Sequence, residues 1–347
     1  MKGTSLSPPI NCQPKFQTIP TRQFNTVKTI PFQFTTRRQF PSFAIKSELQ
    51  QNIQNPVPKN PVPPLVAKSG QTLAGGKGAN QAACGGKLSH PTYFVGQLGE
   101  DVNGKLISGA LSECGVKLDY VNVVKDDVPT GHAVVMLQSD GQNSIIIVGG
   151  ANMSCWPEKF GHEDLEVVRK AGIVLLQREI PDSVNIQVAK AARSAGVPVI
   201  LDAGGMDAPI PQELLNFIDI LSPNESELRR LTGMPTDSFE QVTEAVAKCH
   251  AMGIKQVLVK LGAKGSALFV IGEKPIKQSI ISAAKVRDTT GAGDTFTAAF
   301  AVALVEGKSR EECLRFAAAA ASLCVQVKGA IPSMPDRNSV LNLLQYA

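Results

Sequence analysis

Nothing in this 347-residue chain approaches the ~18 uninterrupted apolar residues that a membrane-spanning helix needs. The apolar run from Ala317 to Val327 is too short and reads as a buried helix. Acidic residues are absent from residues 1–47, which carry seven Lys or Arg. Setting that segment aside leaves 28 basic against 30 acidic residues, a net charge near −2, so no basic face suited to nucleic acid remains. The seven cysteines (Cys12, Cys84, Cys114, Cys155, Cys249, Cys313 and Cys324) form no C-x-x-C pair and no metal spacing. Such a scattered, odd set predicts reduced thiols in a cytosol- or stroma-like compartment. The four histidines are isolated, and His132 and His250 read as ordinary packing or surface residues. No G-x-G-x-x-G joins a strand to a helix. The nearest approach to a Walker A loop, Gly99 to Leu106, puts Leu106 where Ser or Thr must hold Mg²⁺, and its two acids would repel phosphate.

The basic N-terminus, rich in Ser, Thr, Gln, Pro and Phe, lacks the continuous apolar core of a secretory signal. Residues 1–47 are therefore expected to be a transit peptide, to the chloroplast in preference to the mitochondrion or the cytoplasm. Residues 48–64, with repeated Asn, Gln and Pro, read as a linker. Residues 65–347 then form the folded domain. With 43% hydrophobic and 19% charged residues overall, the chain can bury a full α/β core. Strands are predicted at Tyr93–Val95, Ile173–Leu176, Val197–Leu201, Ile218–Leu221, Gln256–Lys260 and Ala267–Ile271. Helices are predicted at Asn80–Gly86, Asp182–Ala195, Ser238–Met252, Asp294–Glu306 and Arg310–Val327, the last opened by a Ser309–Glu312 capping box. This alternation predicts a three-layer domain with a mostly parallel sheet. Residues 131–149 are the exception: two strands around an Asp-Gly turn, with no helix between, predict a hairpin.

The most informative segment is VRDTTGAGDTF, Val286 to Phe296, in which Asp288 and Asp294 bracket a Thr-Thr-Gly-Ala-Gly turn and a helical pattern follows. A turn that opens a helix offers free N–H groups and the positive end of the dipole, and so attracts anions. A carboxylate there is unfavourable beside phosphate unless it works as a general base on an attacking hydroxyl. The alternative makes Asp294 a helix N-cap and the glycines an ordinary loop.

Six segments in one order share a resemblance: GGKGANQAA from Gly75, QREIP from Gln177, SPNESEL from Ser222, VKLGAKGS from Val259, DTTGAGD from Asp288 and KGAIPSMP from Lys328. From about Gly70 to its end the chain resembles the ribokinase (PfkB-type) family of carbohydrate kinases. The resemblance implies a three-layer ribokinase-like α/β fold with a small β lid around 131–149, and ATP-dependent phosphorylation of a sugar, D-ribose to D-ribose 5-phosphate. A fructokinase, a nucleoside kinase and a non-catalytic nucleotide- or protein-binding relative are the alternatives. Asp294 would be the base, with the amides of Gly291, Ala292 and Gly293 stabilising developing charge. Gly75, Gly76, Lys77, Asn80 and Glu179 would join Asp294 in holding the sugar. Asn224, Lys260, Leu261, Gly262, Ala263, Lys264, Gly265, Gly293 and Ala318 would hold ATP. Glu227 would organise Mg²⁺, and Asp288, Thr290, Cys324, Val327, Gly329 and Ser333 would surround K⁺. The lid strands would support a homodimer.

The chain also departs from the family, which begins with an apolar strand leading to an N-x-D segment and further lid strands. Here Pro64-Leu65-Val66 starts such a strand and runs almost directly into GGKGAN, and no Asp or Glu occurs between Glu48 and Glu100. A core strand, part of the lid and the sugar-binding aspartate therefore lack counterparts, as a skipped exon would produce. Weak sugar binding is expected, because a charge-assisted contact of roughly 1.5–3 kcal/mol is missing.

Overall fold

The computed structural model describes residues 70–346, apart from 126, 138–142 and 207. The transit-peptide, linker and Pro64–Val66 strand expectations, and the Asp140–Gly141 turn, lie outside the described residues. In chain order the elements are α1 (Lys77–Lys87), β1 (Tyr93–Gly99), α2 (Val102–Glu113), β2 (Lys117–Val124), β3 (His132–Leu137), β4 (Asn143–Val148), α3 (Glu166–Arg169), β5 (Val174–Arg178) and α4 (Asp182–Ser194). There follow β6 (Val199–Gly205), α5 (Gln212–Leu215), β7 (Ile220–Ser222), α6 (Glu225–Thr232), α7 (Phe239–Ala251), β8 (Gln256–Lys260), β9 (Ser266–Val270) and β10 (Ile276–Gln278). The chain closes with α8 (Ala292–Val305), α9 (Arg310–Cys324) and α10 (Arg337–Tyr346).

The main sheet has the order β10-β9-β8-β7-β6-β5, parallel from β5 to β8, with β9 and β10 antiparallel at one edge. Strand pleating sends alternate side chains to opposite faces. Ile200, Ile220, Leu258 and Leu268 join one core with α1, α8 and α9. Their neighbours Val199, Leu201, Leu221, Val257, Ala267 and Phe269 join a second core with α4, α6 and α7. The sheet is therefore sandwiched between two helical layers. Helix α8 is buried nearly all round from Asp294 to Ala303, as a helix between a sheet and other helices must be. Helix α4 instead buries one face, Val184, Val188, Ala189, Ala191 and Ala192, together with Asn185, whose Nδ2 donates to Gln177 O at 2.9 Å. Helix α9 stops at Cys324, short of the predicted Val327, because the Val325 carbonyl is drawn off to the amides of Arg287 and Asp288.

Among the described residues, β1 and β2 form a parallel pair of their own that is not hydrogen-bonded to the main sheet, and β5 is that sheet's terminal strand. Strands β3 and β4 form the expected antiparallel hairpin, with His132 opposite Val148. It exposes Val134, Val135, Met136, Ile146 and Ile147. The Walker-like segment is a capped helix start. Asp101 accepts from the amide of Gly104 at 2.7 Å and from the Thr130 hydroxyl at 2.7 Å, so its carboxylate is fully used in structure.

Candidate active site

The parallel strands end at one edge of the sheet, where ligand crevices of open α/β folds form. Glu179 follows β5, Asp202 lies in β6 beside Ser222 at the end of β7, Lys260 ends β8, and α1, α6 and α8 bring their N-termini to the same edge. Gly291, at φ 79°, caps α8, and a Cβ there would meet Met334 Cε at 3.1 Å and Ala330 Cα at 3.2 Å. Asp294 is thus the third residue of the first helical turn, and the N-cap alternative does not hold. Its side chain is not spent on capping. Oδ2 accepts from Asn80 Nδ2 at 2.8 Å, Oδ1 lies 3.4 Å from Gln81 Nε2, and Lys77 Nζ is 3.8 Å away. Burial pushes the Asp294 carboxyl above the ordinary carboxylate range, aided by Asp202 and opposed by Lys77, Asn80 and Lys260. A raised pKa suits a base that must accept a proton.

Helix α1 begins at Lys77, three residues before its predicted start, so Lys77 and Asn80 share the first turn. Gly76 stands at φ 99°, a conformation that glycine adopts without a Cβ penalty. The Lys77 amide donates to Glu179 Oε2 at 2.9 Å, and burial raises the Glu179 carboxyl. Asn80 gives its amide to Asp294, while its buried Oδ1 has no hydrogen-bond partner among the described residues. A Cβ on Gly75 would lie 3.9 Å from that oxygen. Buried acceptors left without donors are costly, and a hydroxyl entering beside Asp294 would satisfy this one. All six predicted sugar contacts, Gly75, Gly76, Lys77, Asn80, Glu179 and Asp294, thus gather around one point.

The predicted nucleotide residues divide. Lys260 accepts Asn224 as a backbone bridge partner, and its amide bonds Pro223 O at 2.9 Å. Leu261 to Gly265 make the strand–turn–strand link between β8 and β9, with the 3₁₀ turn at Gly262, Ala263 and Lys264. Gly293 sits over the Lys260 stem, a Cβ there lying 3.8 Å from Cδ. Lys264 turns outward, pairing with Glu225 at 3.0 Å. Ala318 is 8% exposed on α9 and packs into the core. The Ala292 amide bonds Thr289 O at 3.2 Å, so of the three predicted amide donors this one is engaged.

Asn224 and Glu227 complete a reciprocal capping box on α6. Glu227 Oε2 accepts from the Asn224 amide at 2.8 Å, leaving Oε1 facing Gly204, where an added Cβ would lie 2.6 Å from it. Among the described residues no group of three His, Cys, Asp or Glu could hold a metal. One free carboxylate oxygen beside a crevice does fit Mg²⁺, which keeps several waters and takes its remaining ligands from phosphate. Asp288 accepts from the amides of Thr290 at 2.9 Å and Gly329 at 2.8 Å. Burial opposes ionisation, but those N–H groups hold its carboxyl below the ordinary range. Cys324 Sγ touches Ser333 Oγ at 3.1 Å and Thr290 O at 3.8 Å. Five of the six predicted K⁺ residues therefore meet in one oxygen-rich loop. Val327, 44% exposed, only bonds back to Cys324. A thiol is a poor ligand for a hard cation, so Cys324 fits as packing beside the loop.

Asp202 is the principal residue that the sequence analysis passed over. Buried between two ammonium groups, it lies 3.1 Å from Lys77 Nζ and 2.8 Å from Lys260 Nζ. Burial alone would raise its carboxyl, yet Lys260 and Lys77 hold it down at about 2. Lys77 is likewise held protonated above the ordinary lysine range by Asp202, Asp294 and Glu227, against its own burial. The signal was available: Asp202 follows the apolar run Val199-Ile200-Leu201 as Glu179 follows β5.

The pfkB family carbohydrate kinase profile matches residues 48–337. This chain belongs to that family. It is 78% identical over 285 residues to the ribokinase of Arabidopsis thaliana, covering 82% of this chain and 75% of the relative. The ribokinase of Bacillus subtilis (strain 168) is 38% identical over 281 residues, 81% of this chain and 90% of the relative. The solved structure of Arabidopsis thaliana ribokinase complexed with ribose and ATP superposes with a TM-score of 0.80 at 77% identity, covering 82% of this chain and 91% of that one. The fold is accordingly the ribokinase-like three-layer α/β fold, and the site described above lies within the matched kinase domain.

Proposed function

We propose that this pfkB-family enzyme transfers the γ-phosphoryl group of ATP to the primary hydroxyl of D-ribose, giving D-ribose 5-phosphate. The observation that carries this reading is the Asn80–Asp294 pair. A buried carboxylate with a raised pKa stands at the mouth of an anion-attracting turn, beside an acceptor that lacks a donor. A sugar hydroxyl beside Asp294 donates its one proton to that carboxylate while its oxygen attacks the γ-phosphorus in line and ADP leaves, and a second hydroxyl donates to Asn80 Oδ1. The Gly291–Gly293 turn and the α8 dipole stabilise charge on the transferred group, and Lys77 and Lys260 add two ammonium groups below it. Glu179, with the backbone of Gly75 and Gly76, orients the remaining hydroxyls. The high identity to ribokinases of Arabidopsis thaliana and Bacillus subtilis supports ribose as the acceptor.

Glu227 would hold Mg²⁺ through Oε1, where the ion would neutralise phosphate charge. Asp288, Gly329, Ser333 and the Thr290 carbonyl would hold K⁺, which orders the loop beside the turn. The exposed apolar β3–β4 hairpin fits pairing with a second copy, and the acid-free segment 1–47 fits import into the chloroplast. The deciding assay is an ATP-dependent phosphorylation panel over ribose, fructose and adenosine with Mg²⁺ and K⁺ present. Ribose should be preferred at least tenfold in kcat/KM. Preference for another acceptor, or no turnover with any, would overturn the assignment. Asp294→Asn separates an enzyme from a nucleotide-binding relative, since only an enzyme loses several orders of magnitude in rate while nucleotide binding persists.

A further inference from the structure

Asp202 belongs to β6 and has no exposed side-chain surface. Its carboxylate is fully occupied. Oδ1 takes Lys77 Nζ and the Gly204 amide, both at 3.1 Å, and Oδ2 takes Lys260 Nζ at 2.8 Å. Thr297 Oγ1 and Gln81 Nε2 stand at 3.4 and 3.5 Å from Oδ2. A group so enclosed cannot touch a sugar or a phosphate. The lysines it holds can, since their side chains keep 26% and 12% exposure. Two ammonium groups repel each other, and a shared buried carboxylate is what allows them to converge. Lys77 also lies 3.8 Å from Asp294 Oδ1, outside hydrogen-bond range but nearest to it after Asp202.

We propose that Asp202 is a positioning residue for phosphoryl transfer, holding Lys77 and Lys260 together on the floor of the crevice and keeping Lys77 off the Asp294 carboxylate. Without the Asp202 charge, the closest acid to Lys77 is Asp294. A direct ion pair there would occupy the lone pair that must receive the hydroxyl proton and would draw the ammonium away from the phosphate path. The inference rests on the transfer reading above. It separates a site with a free base from one whose base is sequestered, and the two differ in their pH dependence.

The test uses the full chain and compares the parent with Asp202→Asn, Asp202→Glu, Lys77→Met and the Lys77→Met/Asp202→Asn double variant. The groups facing Asp294 are Lys77 from α1, Asp202 from β6 and Lys260 from β8, with Glu179 beyond Lys77 and the buried thiols of Cys84 from α1 and Cys324 from α9 behind it. Asp202→Asn should lower kcat about a hundredfold, leave the ribose KM within about threefold, and move the acid limb of the kcat profile to lower pH. Asp202→Glu, which keeps the charge, should retain the parental acid limb. In the Lys77→Met background the same Asp202→Asn change should cost less than about fivefold, because the two residues act as a unit. An unmoved acid limb, or a full additional loss in the Lys77→Met background, would overturn the proposal. Circular dichroism reports folding, and if Asp202→Asn does not fold, the Asp202→Glu limb and kcat decide by the same criteria. If the parent itself does not turn over, the transfer reading fails, and binding of a non-hydrolysable ATP analogue decides the Asp202 one. Binding weakened tenfold by Asp202→Asn supports it, and unchanged binding sinks it.

Discussion

Gly204 gives the sharpest test of the site, because the nearest neighbours of a Cβ there are two side chains assigned to chemistry. It lies near the end of β6 with no positive φ, so alanine fits its backbone. A Cβ there would lie 2.4 Å from Lys77 Cε and Nζ and 2.6 Å from Glu227 Oε1. Such contacts must open to about 3.5 Å, so both tips retreat by roughly 1 Å. The backbone is untouched and both side chains are flexible, so the stability loss should stay below about 1 kcal/mol. Catalysis is far less tolerant. A displacement of about 1 Å in a positioning group costs on the order of 10²-fold, or about 2.7 kcal/mol in the barrier. Gly204→Ala should therefore lose about a hundredfold in kcat/KM with ATP and ribose, while its Tm falls by no more than about 3 °C. Gly109 in α2, where an added Cβ meets nothing within 4 Å, is the control. Gly109→Ala should keep full activity and gain about 0.5–1 kcal/mol. Steady-state kinetics and a thermal melt on the three proteins suffice. If Gly204→Ala kept kcat/KM within threefold of the parent, Lys77 and Glu227 would not be positioned for transfer as argued.

If Asp294 is the base proposed above it works deprotonated, and since burial raises its carboxyl, activity should be full at high pH and fall as pH drops through a midpoint above that of exposed aspartates. A pH–rate profile flat down to pH 4 would contradict that. Asp202 is depressed in the folded state to about 2. Its contribution is therefore present above the unfolded value of about 3.9 and disappears as pH falls toward about 2; it is on the order of 2 kcal/mol. Urea midpoints between pH 5 and pH 2.5 should show this dependence in the parent and lose that share of it in Asp202→Asn. Finally, the ribose KM should be high for this chain and should drop at least tenfold when an apolar strand carrying an N-x-D segment is inserted before Gly70. Equal turnover at low ribose by the two versions would remove the argument for a missing acceptor contact.

How much of this was legible in the sequence follows from what each signal depends on. The strand–helix alternation and the hairpin are local patterns, and they place most of the sheet and its flanking helices. Strand β2 escaped because KLDYVNVV is mostly exposed and mixes polar with apolar residues, so it carries no buried-strand pattern. Helix boundaries drifted where tertiary contacts decide them. Lys77 starts α1 because its amide is fixed by Glu179, 102 residues away. Motif residues were readable because glycine at positive φ and acid at a helix start have few other uses, as at Gly76 and Gly291. Partnerships were not readable. Nothing local to Asp202 says that lysines 125 residues before it and 58 after it share its carboxylate.

The same distinction locates where the chain is strained as a catalyst. The donor side is closed by contacts among described residues: the Gly291 cap, the Asn224–Glu227 box and the two lysines on Asp202. The acceptor side rests on α1 and Glu179, with Asn80 Oδ1 lacking a donor. It lies where β5 ends the main sheet and β1 belongs to a separate pair. Gly78 spans that boundary, since a Cβ there would touch Gln177 at 3.1 Å and Phe94 at 3.3 Å. Helix α1 therefore carries the load that a continuous sheet would otherwise share. Lys77, Asn80 and Gln81 reach Asp202 and Asp294 from this one helix, so any looseness of α1 is transmitted to the base. On the proposed reading, acceptor affinity and transfer rate should fall together when α1 is loosened, while ATP binding, assigned to β8 and α6, should be the last to go.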